Sequence, residues 1–149
     1  MAKSKVNRRI IKFSLIITIL LFLACWDVRF NDSLRVINNS AERISILHSN
    51  QKTGDLTANH IAFFVDDYNT VAPGDTSLIH IMGNDGAWHD YISQGIDQKL
   101  YLYVFNVDTL KKYQDTYSMD DLVEMGKYIS LLQYSERELK SKHWLIKFK

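Results

Sequence analysis

The sequence predicts a mainly β protein: an antiparallel β-sandwich of about seven strands with short helical insertions near the C-terminal half. Several segments alternate apolar and polar residues at a period of two, which is typical of half-buried strands. Turn-forming residues separate these segments. One stretch, residues 100–107, is apolar on both faces, as in a central strand covered on both sides. A single curved sheet with helices across one face is the alternative.

The first strands follow from this alternation. Residues 28–36 place apolar side chains on one face, and Asn38-Asn39-Ser40 interrupts the pattern. Residues 43–48 alternate again, with Ile44 and Ile46 inward, so we expect the two segments to form a hairpin. Residues 51–59 are polar and predict a loop.

The middle of the chain is divided by turns. The apolar run 61–65 predicts a short strand. Ala72-Pro73-Gly74-Asp75 predicts a type II turn, because Pro presets φ and Gly supplies the positive φ that follows. A strand over residues 76–82 comes next, and Asn84-Asp85-Gly86 predicts another turn.

Helical spacing begins after residue 107. Apolar positions three and four apart predict a short helix, and Ser118 with Asp121 predicts a capping box that opens a second helix at residue 119. Ser135 with Glu138 predicts another capping box after a strand over residues 128–134. Strand alternation returns at the C-terminus, where the apolar face comprises Trp144, Ile146 and Phe148.

The N-terminal residues have the pattern of a secretory signal. Five Lys or Arg residues and no acidic residue precede position 13, and twelve mostly apolar residues follow. Twelve residues are too few for a transmembrane helix, which needs roughly 20. Residues 1–24 are therefore predicted to be a removed signal peptide, and residues 25–149 a single small domain.

The end of the apolar run predicts a lipid anchor. Cys25, the single cysteine of the chain, directly follows Ala24. The bulky Phe22 three positions before the cysteine argues against ordinary signal cleavage. The segment resembles a bacterial lipobox, although Phe22 and Leu23 depart from the usual Leu and small residue. The resemblance implies that Cys25 is acylated, which anchors the domain to a membrane.

Charge and motifs exclude several classes of function. The signal contains five of the 18 basic residues and none of the 17 acidic ones, so the remainder has a net charge of −4. That balance argues against nucleic-acid binding. No cofactor or nucleotide motif is present. The five histidines lack the spacing of metal ligands, so no metal site is predicted; they are His48, His60, His80, His89 and His143.

Several segments also resemble a known family. These are Val-Ile-Asn-Asn-Ser, Ala-Pro-Gly-Asp-Thr, residues 100–110 and the C-terminal residues around Trp144. In this order they resemble a family of small lipoproteins from Bacteroides-type Gram-negative bacteria, over most of the mature chain. The resemblance implies the envelope compartment and the extent of the domain. It supplies no activity and no functional residues.

Two groups of residues are candidate sites. Trp88, His89, Asp90 and Tyr91 combine aromatic rings with a carboxylate and could contact a glycan; the alternative is that Trp88 and Tyr91 anchor a strand edge to the core. Ser33 and Thr109 lie in Asp-Ser/Thr-apolar triplets, which resemble the O-glycosylation sites of such bacteria. Asp108-Thr109 would otherwise cap a helix. The adjacent pairs Asp66-Asp67 and Asp120-Asp121 have structural explanations.

The sequence thus favours a lipid-anchored envelope protein, most consistent with the outer membrane. We expect a non-catalytic module that binds an envelope protein or a glycan. The alternative is a small hydrolase that acts on envelope or dietary polymers, and a convergent set of titratable groups in one pocket would favour it.

Overall fold

The computed structural model describes residues 30–52 and 60–149 of the chain. Cys25 and the signal segment 1–24 lie outside the described residues, as does most of the predicted loop 51–59. The described residues contain seven strands and five short α-helices. In chain order they are β1 Phe30–Asn38, β2 Ile44–Ser49, α1 Ile61–Val65, a 3-10 turn Asp67–Asn69, β3 Thr70–Val71, β4 Thr76–Met82, α2 Ala87–Gln94, β5 Lys99–Asn106, α3 Val107–Tyr113, α4 Met119–Glu124, β6 Ser130–Ser135, α5 Glu136–Ser141 and β7 Leu145–Phe148.

The strands form two sheets. One has three strands in the order β4-β1-β7, and the other has four in the order β3-β2-β5-β6. All neighbours are antiparallel except β1 and β7, which are parallel. The prediction of a mainly β fold with mostly antiparallel strands and short helices is confirmed. The alternative of a single sheet is wrong, because the strands divide between two.

Two hydrophobic clusters hold these layers together. The first takes side chains from both sheets, including Leu34 and Val36 of β1 and Ile44 and Ile46 of β2. The second lies on the other face of the four-stranded sheet and combines β5 side chains with α1, α3 and α4. The prediction that β5 is covered on both faces is confirmed, since its residues 100–105 are all buried.

The predicted hairpin of β1 and β2 is wrong, because the two strands belong to different sheets. The interruption after β1 is a corner where the chain passes from one sheet to the other. Asn38 is fully buried there. Its Nδ2 donates to the carbonyl oxygens of Glu42 and Val71, at 2.7 and 2.9 Å, and its Oδ1 accepts from the N–H of Ser40.

A second passage between the sheets lies beside the first. The predicted type II turn joins β3 to β4: Gly74 has φ +84°, and the N–H of Asp75 donates to the carbonyl of Ala72 at 3.1 Å. Asn38 binds this turn too, because its N–H donates to the carbonyl of Asp75 and its carbonyl accepts from the N–H of Gly74. One buried residue therefore joins both passages.

Two helices lie where the sequence did not predict helices. The run 61–65 is helix α1 rather than a strand, with Ile61 and Phe64 buried and Phe63 exposed between them. A five-residue apolar run fits either structure, and only the three-residue spacing of its buried members marks a helix. Trp88 and Tyr91 lie in helix α2, not at a strand edge.

The other C-terminal elements agree with prediction. Both capping boxes are present, at Ser118–Asp121 and Ser135–Glu138. In β7, Ile146 and Phe148 are buried and Lys147 is exposed, as the alternation predicts. Trp144 precedes this strand and is half-buried. None of the helices in the described part of the chain is long and apolar enough to cross a membrane.

Replacing Asn38 by alanine should destabilise the fold, because the carbonyls of Glu42 and Val71 then lose their buried donor. We expect a loss of about 3 kcal/mol in the free energy of unfolding, measured by chemical denaturation of the full chain. Asn39→Ala is the control, since Asn39 is exposed and its substitution should cost less than about 0.5 kcal/mol. Equal midpoints for the two variants would contradict the role given to Asn38.

Candidate functional site

A groove of about 370 Å³ runs between the edges of the two sheets. Volumes of about 300–1,000 Å³ are typical of ligand sites. One wall is β4, which contributes the five consecutive residues 76–80. The opposite wall is formed by α1, the 3-10 turn and β3, and Ile46 and His48 of β2 also line the groove.

Three large apolar side chains of this lining face solvent. Tyr68 is 97% exposed, Phe63 is 57% exposed and Leu78 is 45% exposed. Tyr68 and Phe63 stand on the wall opposite Leu78. Because hydrophobic side chains that line one concave surface mark interaction sites more often than scattered ones do, this groove is the leading candidate site.

Local hydrogen bonds hold in place the wall that carries Phe63 and Tyr68, called here the aromatic wall. Asn69 donates from its Nδ2 to the carbonyl of Phe63 at 2.9 Å, which ties the 3-10 turn to α1. Asp66 caps this turn, because its Oδ1 accepts from the N–H of Tyr68 at 3.0 Å. The turn that carries the exposed Tyr68 ring is therefore held by two side-chain hydrogen bonds. Asp66 and Asp67 do not act together, since Asp67 instead forms an ion pair of 3.6 Å with Arg43.

The groove is lined without formal charges. Among the described residues, its lining contains no Asp, Glu, Lys or Arg, and its polar groups are hydroxyls, an amide and two imidazoles. The nearby Arg43 donates to Oγ1 of Thr70 at 3.1 Å, so its guanidinium is held at the exposed side of β3. An uncharged lining favours an uncharged ligand, because a buried charge without a partner is costly.

His48 joins the groove to an aromatic cluster. Its ring lies 5.8 Å from that of Trp88 and 5.7 Å from that of Tyr91, both in edge-on geometry. Burial lowers the pKa of His48 to about 4, because these rings and the core withhold water from the imidazolium. His48 is therefore neutral at pH 7. Nε1 of Trp88 is buried and has no hydrogen-bond partner among the described residues.

The four residues predicted to contact a glycan do not share a surface. Trp88 is only 1% exposed, so its ring is a core side chain and cannot stack on a ligand. His89 faces α5, where its Nδ1 lies 2.8 Å from Oε2 of Glu136. Lys140 pairs with the same carboxylate at 2.6 Å, and these two partners lower the pKa of Glu136. Asp90 and Tyr91 line a second, more open groove beside Met82.

The two residues predicted to be O-glycosylated lie in different elements. Ser33 lies in β1, and Thr109 is half-buried in the first turn of α3. Asn106, not Asp108, caps this helix, with its Oδ1 accepting from the N–H groups of Asp108 and Thr109. Glycosylation at Ser33 or Thr109 stays a prediction, as does acylation of Cys25. In the described ranges, no three His, Cys, Asp or Glu residues are grouped so as to hold a metal ion.

Sequence reasoning missed the groove, because Phe63, Tyr68 and Leu78 come from three separate elements. One signal was available: Tyr68 is a large aromatic residue in a polar segment, Asp66-Asp67-Tyr68-Asn69. The chain matches no protein-family model, no curated protein and no solved structure.

The low pKa of His48 predicts acid-sensitive stability. The unfolded chain binds this proton at a pH of about 6.5 and the folded chain at about 4. The free energy of unfolding should therefore be highest above pH 6.5 and fall by up to roughly 3 kcal/mol as the pH drops to about 4. Denaturant titrations between pH 7 and pH 5 should show roughly 2 kcal/mol of this fall, before most carboxylates titrate.

His48→Gln should flatten the pH dependence, because glutamine does not titrate. His60→Gln is the matched control, because His60 is exposed. This variant should still lose stability as the pH falls. The account of His48 would be wrong if wild type and His48→Gln lost stability in parallel over this range.

Proposed function

We propose that this protein is a lipid-anchored, non-catalytic module of the bacterial envelope that binds an envelope protein or a glycan. The observation that carries the proposal is the uncharged groove between the sheet edges, with Phe63, Tyr68 and Leu78 exposed on its walls. Exposed aromatic rings contribute large contact area at low entropic cost, which suits binding.

The chemistry of the groove supports binding over hydrolysis. General acid–base catalysis needs groups that exchange protons near neutral pH. Of the two imidazoles that line the groove, His48 is held neutral by a pKa of about 4, which leaves His80. No carboxylate lines the groove among the described residues, so the lining lacks the pair of carboxylates that glycoside hydrolysis uses. The lowered pKa of Glu136 arises elsewhere, from its contacts with Lys140 and His89 between α2 and α5. These contacts stabilise the fold.

The proposed anchor lies close to the domain. Cys25 precedes the first residue of β1, Phe30, by five positions. Five extended residues span at most roughly 17 Å, so acylation of Cys25 would hold the domain against the membrane surface. Several acyl chains hold firmly where one alone is marginal. The groove would then meet ligands of the envelope itself.

The anchor is tested by metabolic labelling with a fatty acid. Wild-type protein should take up the label and should begin at Cys25 in its mature form, because acylation precedes removal of residues 1–24. Cys25→Ala should remain unlabelled and keep its signal segment. Equal labelling of the two proteins would refute the anchor.

The groove is tested by photo-crosslinking in the bacterium that makes the protein. The photoreactive residue p-benzoylphenylalanine replaces Tyr68 in one variant and Tyr117 in the control, which is 40% exposed and does not line the groove. Position 68 should give an adduct in which mass spectrometry finds peptide or sugar, and position 117 should not. Matching adducts from both positions, or none from either, would contradict a binding groove.

A further inference from the structure

We infer that the ligand of this groove is an extended peptide segment, which pairs with the edge of β4 as an additional strand. The inference rests on the proposed function and names the class of partner. Among the described residues, strand β4 is the last strand of its sheet, in the order β4-β1-β7. Edge strands with unpaired backbone groups are templates for such strand addition.

The hydrogen-bond register shows which backbone groups point outward. The N–H of Asn38 donates to the carbonyl of Asp75, and the carbonyl of Asn38 accepts from the N–H of Gly74. The even-numbered residues of β1 therefore direct their backbone N–H and C=O groups towards β4. The pairs Val36–Ser77 and Leu34–Ile79 therefore exchange the ladder hydrogen bonds. Thr76 and Leu78 alternate with these residues and direct their N–H and C=O groups away from β1, towards the groove.

The groove follows this edge. Its lining includes five consecutive β4 residues, and successive strand side chains point to opposite faces. A cavity that contacts both faces of a strand must lie along the strand's edge. Outward N–H and C=O groups then repeat every two residues, at roughly 7 Å. A peptide backbone supplies donors and acceptors at that spacing.

The β4 edge also lacks the features that block strand pairing. Its sequence, Thr-Ser-Leu-Ile-His-Ile-Met, contains no Lys, Asp, Glu or Pro. The other edges differ: β3 has two residues, β7 has four and carries Lys147, and β6 is packed against α5. Seven residues of β4 are enough to align a partner strand.

The opposite wall determines the chemistry of the partner. Phe63 and Tyr68 would contact alternate side chains of the added strand, and an uncharged lining favours an uncharged segment. The partner is therefore a protein segment with large apolar residues at alternate positions. A second copy of the chain fits less well, because its own β4 is flanked by the same α1 wall.

The experiment uses the full lipidated chain in detergent micelles. Ten-residue peptides are selected from a display library, and the affinity of the best peptide is measured by titration calorimetry. Two N-methylated forms of this peptide, methylated at odd or at even positions, remove the N–H groups of one edge each. One form should bind about tenfold or more weaker, the loss of one ladder of hydrogen bonds, and the other within about twofold.

A protein variant tests the same ladder. Leu78→Pro removes one outward N–H, which edge strands tolerate, and should weaken peptide binding about tenfold. Leu78→Ala keeps this N–H and should bind the peptide more tightly than Leu78→Pro. If Leu78→Pro does not fold, as judged by circular dichroism, the methylated peptides still decide the question.

The remaining outcomes overturn the inference in distinguishable ways. Equal affinity of both methylated peptides, or selection of no peptide, would exclude strand addition. Binding of maltohexaose or cellohexaose that is lost in Tyr68→Ala, without peptide binding, would retain the proposed function and replace the peptide by a glycan. A dimer of the chain that Leu78→Pro dissociates would place a second copy in the groove. Absence of all binding would overturn the proposed function as well.

Discussion

The buried side chain of Asn38 joins the two adjacent places where the chain passes between its sheets. Its amide binds carbonyls of the 39–43 corner and of β3, while its backbone binds the turn that leads into β4. Because every polar group of this residue is used inside the protein, its position is strongly determined. The placement of β4 relative to β2 and β3 depends on it.

That placement creates the groove. The chain crosses to the three-stranded sheet immediately before β4, so this strand becomes an edge that faces α1 and the 3-10 turn across a gap. On the inner side, His48, Trp88 and Tyr91 fill the space between α2 and β2 with rings rather than charges. The result is a neutral cleft with one hydrogen-bonding wall and one aromatic wall.

Local patterns in the sequence predicted local structure well. Alternation identified β7, flanking turns identified β4, continuous apolarity identified β5, and reciprocal Ser–acid pairs identified the starts of α4 and α5. Alternation shows that one face of a strand is buried but not which strand lies beside it, so β1 and β2 were paired incorrectly. The short run of α1 had too few residues to distinguish a helix from a strand.

The candidate site was less predictable, because its aromatic residues are distant in sequence and meet only in the fold. Trp88 was predicted to contact a ligand because of its neighbours in the sequence, whereas helix α2 directs its side chain into the core. Residue-resolved amide hydrogen exchange of β4 tests the central claim, that this strand is an open edge. The N–H groups of Ser77 and Ile79 should exchange slowly because they donate to β1, and those of Thr76 and Leu78 should exchange fast. Equal protection at all four positions would show that the edge is already covered.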